Sequence, residues 1–283
     1  MGDRAAVPPK LPVARTIVEG YWWTIWHLRA YAAMALVWAA VAAALQLLLG
    51  NFLESPSDSP GDASPIGTAA RYAPGLVVFA ATSLGAVVVG VAAYRLVILD
   101  EPTDWRRALR PGRRELRVFG ISFLIYIVAV AEALALTLLF HLIGILDATG
   151  ESVREDREAV LIIATLLWSL MVALTLTPFV GFAFPLAATD APSGLFHRSF
   201  RMSRGHRLRL ACIAFVADLP WVLGSRIPWV VWESSISEMP ESLQVGMSTF
   251  ITLSSTAFGA MVLGKAFVFV ANRQHEGTYG VFD

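Results

Sequence analysis

WRRALRPGRRELR at residues 105–117 and FHRSFRMSRGHRLR at residues 196–209 are two versions of one pattern. Aligned without gaps, Trp105, Arg106, Arg107, Ala108, Leu109 and Arg110 fall on Phe196, His197, Arg198, Ser199, Phe200 and Arg201. One inserted residue then brings Arg117 onto Arg209, each at the threshold of a long apolar run. In a helix, positions three and four apart are neighbours, so Trp105, Ala108 and Leu109 share a face, as do Phe196, Ser199 and Phe200. The arginines take the remaining angles. A short helix of this kind lies in a membrane interface with its apolar face down. Pro111-Gly112 in one copy, and Ser203 to Gly205 in the other, supply the turn that sends the chain into the bilayer.

Composition agrees with that setting. Of 283 residues, 56% are hydrophobic and only 16% charged, with a mean hydropathy of +0.61. Soluble domains carry about a quarter charged residues, so the deficit points to lipid as solvent. The 22 basic and 22 acidic residues cancel, which excludes a global field for nucleic acid. One cysteine, Cys212, rules out an intrachain disulfide and a Cys-based metal site. The wealth of Ala, Arg, Val and Leu suits a GC-rich bacterial genome. The N-terminus lacks a short apolar core followed by a small-residue cleavage site, so the first apolar run reads as a retained span.

Crossing the ~30 Å of hydrocarbon takes ~20 mostly apolar residues. Six segments qualify: 31–52, 74–99, 118–146, 159–188, 208–231 and 245–271. The fourth contains TLTPFVGFAFP, where Pro178, Gly181 and Pro185 predict a kink or break. Arg4, Lys10, Arg15 and Arg29 precede the first span, and the two arginine stretches and Arg273 fall on the same side. The other connectors are acidic, with Glu54, Asp58, Asp62, Asp147, Glu151, Glu155, Glu233, Glu238 and Glu241. The positive-inside rule therefore predicts cytoplasmic termini and a multi-pass protein of the bacterial inner membrane.

The lead-in IVEGYWWTIWHLR has Ile17, Tyr21, Ile25 and Leu28 at helical spacing, which predicts a third interfacial elbow. The expected fold is all-α and integral to the membrane, a single domain over residues 1–283. Its plan is three hairpins of six transmembrane helices, each hairpin preceded by a cytoplasmic elbow helix. That plan, with the F-x-x-S-F-R…G-H-R-L-R-L stretch entering the fifth span, resembles bacterial six-span membrane proteins of unassigned role. It also resembles the membrane region of glycerophosphodiester phosphodiesterases. The resemblance implies architecture; no phosphodiesterase domain is appended, so it does not imply that activity.

No nucleotide-binding, zinc-protease or hydrolase motif occurs, and the reading is of a non-enzyme without cofactor or metal. Ionisable residues inside spans are functional candidates because lipid makes them costly. They are Glu132, Asp218, Lys265 and Arg226. Asp218 lies ~13 Å past Arg209 and Lys265 ~12 Å before Arg273, so their depths match. Glu132 lies ~22 Å past Arg117, and Arg226 ~25 Å past Arg209. Asp218 and Lys265 equally fit a structural ion pair, with Lys265 and Arg95 snorkelling towards the interface. Glu132, too deep to snorkel, fits either a polar cavity or a hydrogen bond to Tyr126, Thr137, Thr175 or Thr177. Arg106, Arg107, Arg110, Arg198, Arg201 and Arg204 are candidate contacts for anionic lipid headgroups. Ala81-x-x-x-Gly85, Ser255-x-x-x-Gly259 and Ala260-x-x-x-Gly264 predict close helix approaches. The expected partners are membrane lipids or another membrane protein. Transport or lipid handling around a polar cavity is the leading expectation, with a scaffold or a lipid-modifying enzyme as alternatives.

Overall fold

The computed structural model describes residues 11–53, 65–102, 111–142, 166–168, 170–189, 194–217, 219 and 239–277. Among them every element is a helix: α1 (Val13–Leu53), α2 (Pro65–Leu99), α3 (Arg113–Leu142), α4 (Thr177–Val180), α5 (Ala183–Ala188), α6 (Leu195–Ser203) and α7 (Glu241–Gly277). Residues 170–175 and 207–217 are also helical.

α1, α2 and α7 form the centre. Glycines set how closely they approach. A Cβ on Gly20 would stand 2.7 Å from Val262 Cγ2, one on Gly85 2.9 Å from Trp38, and one on Gly264 3.1 Å from Val97. Two of the three small-residue spacings thus mark real approaches, at Gly85 and Gly264. A Cβ on Gly259 would meet nothing within 4 Å. At the far end, Gly246 lies against Ala43 and the Gln46 amide donates to Glu241 at 2.9 Å. These pairs make α1 antiparallel to α7. Thr82 meets Thr249 at 3.3 Å, and Gly90 lies against Thr256, so α2 runs parallel to α7.

Among the described residues, three helices are long and apolar enough to cross a membrane: 13–49 within α1, 75–99 within α2 and 241–272 within α7. They fall on the first, second and sixth expected spans, and the fourth departs from expectation. The fourth expected span does not form one helix. It breaks at Leu176 and again at Gly181-Phe182, into α4 of four residues and α5 of six, as Pro178 and Gly181 predict. The third and fifth expected spans run beyond the described residues, at 142 and 219.

The elbows differ too. The lead-in is continuous with the first span, because one stripe of Thr16, Gly20, Thr24, Tyr31, Ala35, Trp38 and Ala42 is buried along the whole of α1. A single buried stripe at helical spacing favours a single helix over an elbow and a span. Ile17 and Tyr21 pack on the core instead of the interface, and the Tyr21 hydroxyl donates to the Val216 carbonyl at 2.9 Å. Trp22, Ile25, Trp26 and Leu28 stay exposed.

α6 does end in a turn at 204–206 before helix 207–217, with Gly205 at φ +89°. Its buried face, however, is Ser199, Met202 and Ser203, while Phe196 is exposed. That face docks on the α4–α5 break, where the Phe182 N–H donates to Ser199 Oγ at 3.2 Å. The stretch at 103–110, with Arg106, Arg107 and Arg110, lies outside the described residues, as do Asp218 and Arg226.

Candidate functional site

α2 and α3 meet along only part of their length, and a cavity of about 690 Å³ opens between them, closed behind by α5 and α7. Small side chains on α2 make the space. Ala80, Ser83, Val87 and Gly90 follow one helical face, at spacings of three and four. α3 faces them with Val118, Phe119, Ser122, Phe123 and Tyr126, and Phe184, Thr256 and Ala260 line the back. The Phe79 and Tyr126 rings meet at 5.1 Å across the gap. Leu76, Phe79, Phe123 and Tyr126 are all exposed, so the cavity opens sideways along the outer surface of the bundle.

The lining is apolar apart from the hydroxyls of Ser83, Tyr94, Ser122, Tyr126 and Thr256. Among the described residues, no charged side chain contributes to it. Its volume falls within the ~300–1,000 Å³ typical of small-ligand pockets. It extends along α2 from Leu76 to Tyr94, about 27 Å of helix at the usual rise. An elongated apolar space with a few hydroxyls suits a chain-like hydrophobic ligand better than an ion.

The ionisable residues singled out by sequence lie elsewhere. Glu132 is not in the cavity lining. It faces helix 170–175, where the Thr175 hydroxyl donates to Glu132 Oε1 at 2.7 Å. Thr175 also donates to the Met171 carbonyl at 2.8 Å, so its one proton is shared between two acceptors. Glu132 Oε2 is buried, with no hydrogen-bond partner among the described residues.

Lys265 has its Nζ 3.9 Å from the centre of the Trp23 ring, and that ring stacks on His27 at 4.7 Å. Among the described residues, Glu19 and Asp100 act on it electrostatically. Arg95 is held by protein groups. Its guanidinium holds Glu101, with Nε to Oε2 at 2.9 Å, and donates through Nη1 to the Ala188 carbonyl at 3.0 Å. It thereby ties the end of α2 to the end of α5.

Of the candidate lipid contacts, Arg198 is half-buried on α6, while Arg201 and Arg204 are exposed. Arg209 turns inward and donates to the Leu11 carbonyl at 2.6 Å, anchoring the start of α1. Arg207 lies over the Phe200 ring at 4.1 Å.

Sequence reasoning placed the centre of interest at Glu132 and passed over the cavity, naming Tyr126 and Ala260 of its lining for other reasons. The missed signal was the run of small residues Ala80, Ser83 and Gly90 on one face of an otherwise Val-rich helix. No family model matches this chain, nor does any curated protein or solved structure.

Proposed function

We propose that this chain is a non-enzymatic, lipid-handling integral membrane protein that holds the apolar part of a lipid between α2 and α3. One observation carries the reading: a cavity of about 690 Å³, its described lining apolar with a few hydroxyls, and bordered by exposed aromatics. In a bilayer those rim residues face acyl chains, so a lipid would enter sideways without leaving hydrocarbon. The setting we infer is the bacterial inner membrane, crossed six times, with both termini cytoplasmic. The neighbouring start of α1 and end of α7 support termini on one side, and the arginine-rich connectors support the cytoplasm. The apolar character of the described lining favours a lipid over a transported ion.

A scaffold remains the second reading, because α1 presents Val18, Trp22, Ile25, Trp26 and Leu36 as an exposed apolar face that another membrane protein could cover. The two readings separate in a cavity-filling variant. Ala86→Phe combined with Ser122→Phe should leave the chain folded but abolish its co-purified lipid, counted by native mass spectrometry in mild detergent. Equal lipid on the wild type and the filled variant would overturn the cavity reading.

A further inference from the structure

The hydroxyls in the cavity wall are of two kinds. Thr256 donates to the Thr252 carbonyl one turn back, at 2.9 Å, as Thr24 does to Gly20 and Thr252 to Ser248. That back-bond is the usual way for a helical hydroxyl to be satisfied within its own helix. Ser83 and Ser122 do not make it. Among the described residues neither serine hydroxyl has a hydrogen-bond partner, nor does that of Tyr126, and all three residues line the cavity.

The helix directions bring these three together. The Phe79 and Tyr126 rings meet at 5.1 Å, while α2 ends at Leu99 and α3 begins at Arg113. A parallel pair would ask residues 100–112 to stretch over ~50 Å, yet the Glu101 N–H already turns back onto the Arg95 carbonyl. The two helices are therefore antiparallel. Ser83 lies one turn from Phe79 towards the connector, and Ser122 lies one turn from Tyr126 in the same direction. The serines thus stand at one level on opposite walls, about 6 Å along from the aromatic pair.

That level is about 12 Å inside the apolar stretch 75–99. Hydroxyls there meet hydrocarbon in place of water, where an unmade hydrogen bond is costly. Further along, towards Gly90 and Tyr94, the walls are Val87, Val118, Phe119, Phe184 and Ala260. Glu115 lies four residues before Phe119 on the lining face of α3 and accepts the Gly112 N–H at 2.8 Å, so that end does not suit an anionic head.

We infer that the cavity takes a lipid with an uncharged, carbonyl-bearing head. Its carbonyl oxygens accept from Ser83 and Ser122, Tyr126 supplies a third donor at the rim, and the hydrocarbon tail runs past Gly90. The inference rests on the lipid-handling reading and adds the chemistry of the head. A charged head would enter hydrocarbon without a counter-ion among the described lining residues, at far greater cost than a carbonyl. A prenyl quinone and a diacylglycerol share the required chemistry, one with a flat ring and the other with flexible esters.

The test uses the full chain, delipidated in detergent and titrated with a prenyl naphthoquinone, a diacylglycerol or squalene, which is hydrocarbon alone. Bound probe is extracted from the captured protein and counted. At least one carbonyl-bearing probe should bind about tenfold or more tighter than squalene, and the tighter of the two identifies the source. Ser83→Ala combined with Ser122→Ala removes both donors and almost no volume. It should bring that probe to within about threefold of squalene, while squalene binding stays as in the wild type and reports an intact fold. Tyr126→Phe should lower the preference by a smaller factor. A preference that survives the double alanine replacement, or wild-type binding of all three probes alike, overturns the head assignment and leaves the cavity reading standing. Failure of the wild type to bind any probe overturns both. Loss of all three probes in the cavity-filling variant supports the placement, and a carbonyl preference that persists there overturns it.

Discussion

Thr175 has one hydroxyl proton and two acceptors, the Glu132 carboxyl at 2.7 Å and its own helix's Met171 carbonyl at 2.8 Å. The Glu132 bond links α3 to a neighbouring helical segment, and the other Glu132 oxygen is buried with no partner among the described residues. An apolar environment makes such a group expensive unless it keeps a proton or a donor. Thr175→Val should therefore destabilise the chain, and Glu132→Gln should do so less, since its amide oxygen can still accept. A double-mutant cycle on thermal unfolding in detergent should give a coupling of about 0.5–2 kcal/mol. Strict additivity would show that the two side chains do not meet in the folded protein. Sequence alone supplied the carboxyl and a short list of hydroxyl partners that included Thr175, because a deep Glu needs a donor. Choosing among four candidates required knowing which helix lies beside α3, and spacing along one helix says nothing of that.

At the scale of elements, α1 shows what periodicity can and cannot reveal. The stripe Thr16, Gly20, Thr24, Tyr31, Ala35 and Trp38 is present in the sequence, but the helical spacing of Ile17, Tyr21, Ile25 and Leu28 invites an interfacial reading. The exposure of Trp22 and Trp26 fits an aromatic belt, yet the opposite face is sealed against α7. Gly20 is the clearest marker of that seal. A methyl group there would sit 2.8 Å from the Val262 Cα, on backbone that cannot swing aside. Gly20→Ala should therefore force α1 and α7 apart and cost about 1–3 kcal/mol. Gly120→Ala on α3 has nothing within 4 Å and should be neutral or slightly stabilising, because alanine favours helix. Equal melting temperatures for the two variants would count against the α1–α7 seam. The break in the fourth segment was legible for a simpler reason. Pro178 removes a backbone donor wherever it sits in a helix, whereas a seam depends on a partner far away in the chain.

The directions of the helices constrain the whole molecule. α1 at 41 residues would be about 62 Å long, twice the hydrocarbon thickness, so one end must stand clear of the bilayer core. The seam from Gly20–Val262 to Gln46–Glu241 puts the start of α1 and the end of α7 on one side. Because α2 is parallel to α7 and antiparallel to α1, an odd number of crossings must separate α2 from α7. One crossing, by α3 alone, gives four passes; three give six. The two cases differ at the second arginine stretch. With four passes Arg204 lies on the side opposite the termini, and with six it shares their side. The arginines of that stretch favour six by the positive-inside rule. In a Cys212→Ser background, Arg204→Cys should react with a membrane-impermeant maleimide only after the cells are permeabilised. Ser57→Cys, Ser152→Cys and Ser235→Cys should react in spheroplasts that are still intact. Arg204 occupies an exposed position, so burial would not explain a silent probe. Labelling of Arg204→Cys in intact spheroplasts would exclude six passes, and failure at any of the three serine positions would overturn the proposed orientation.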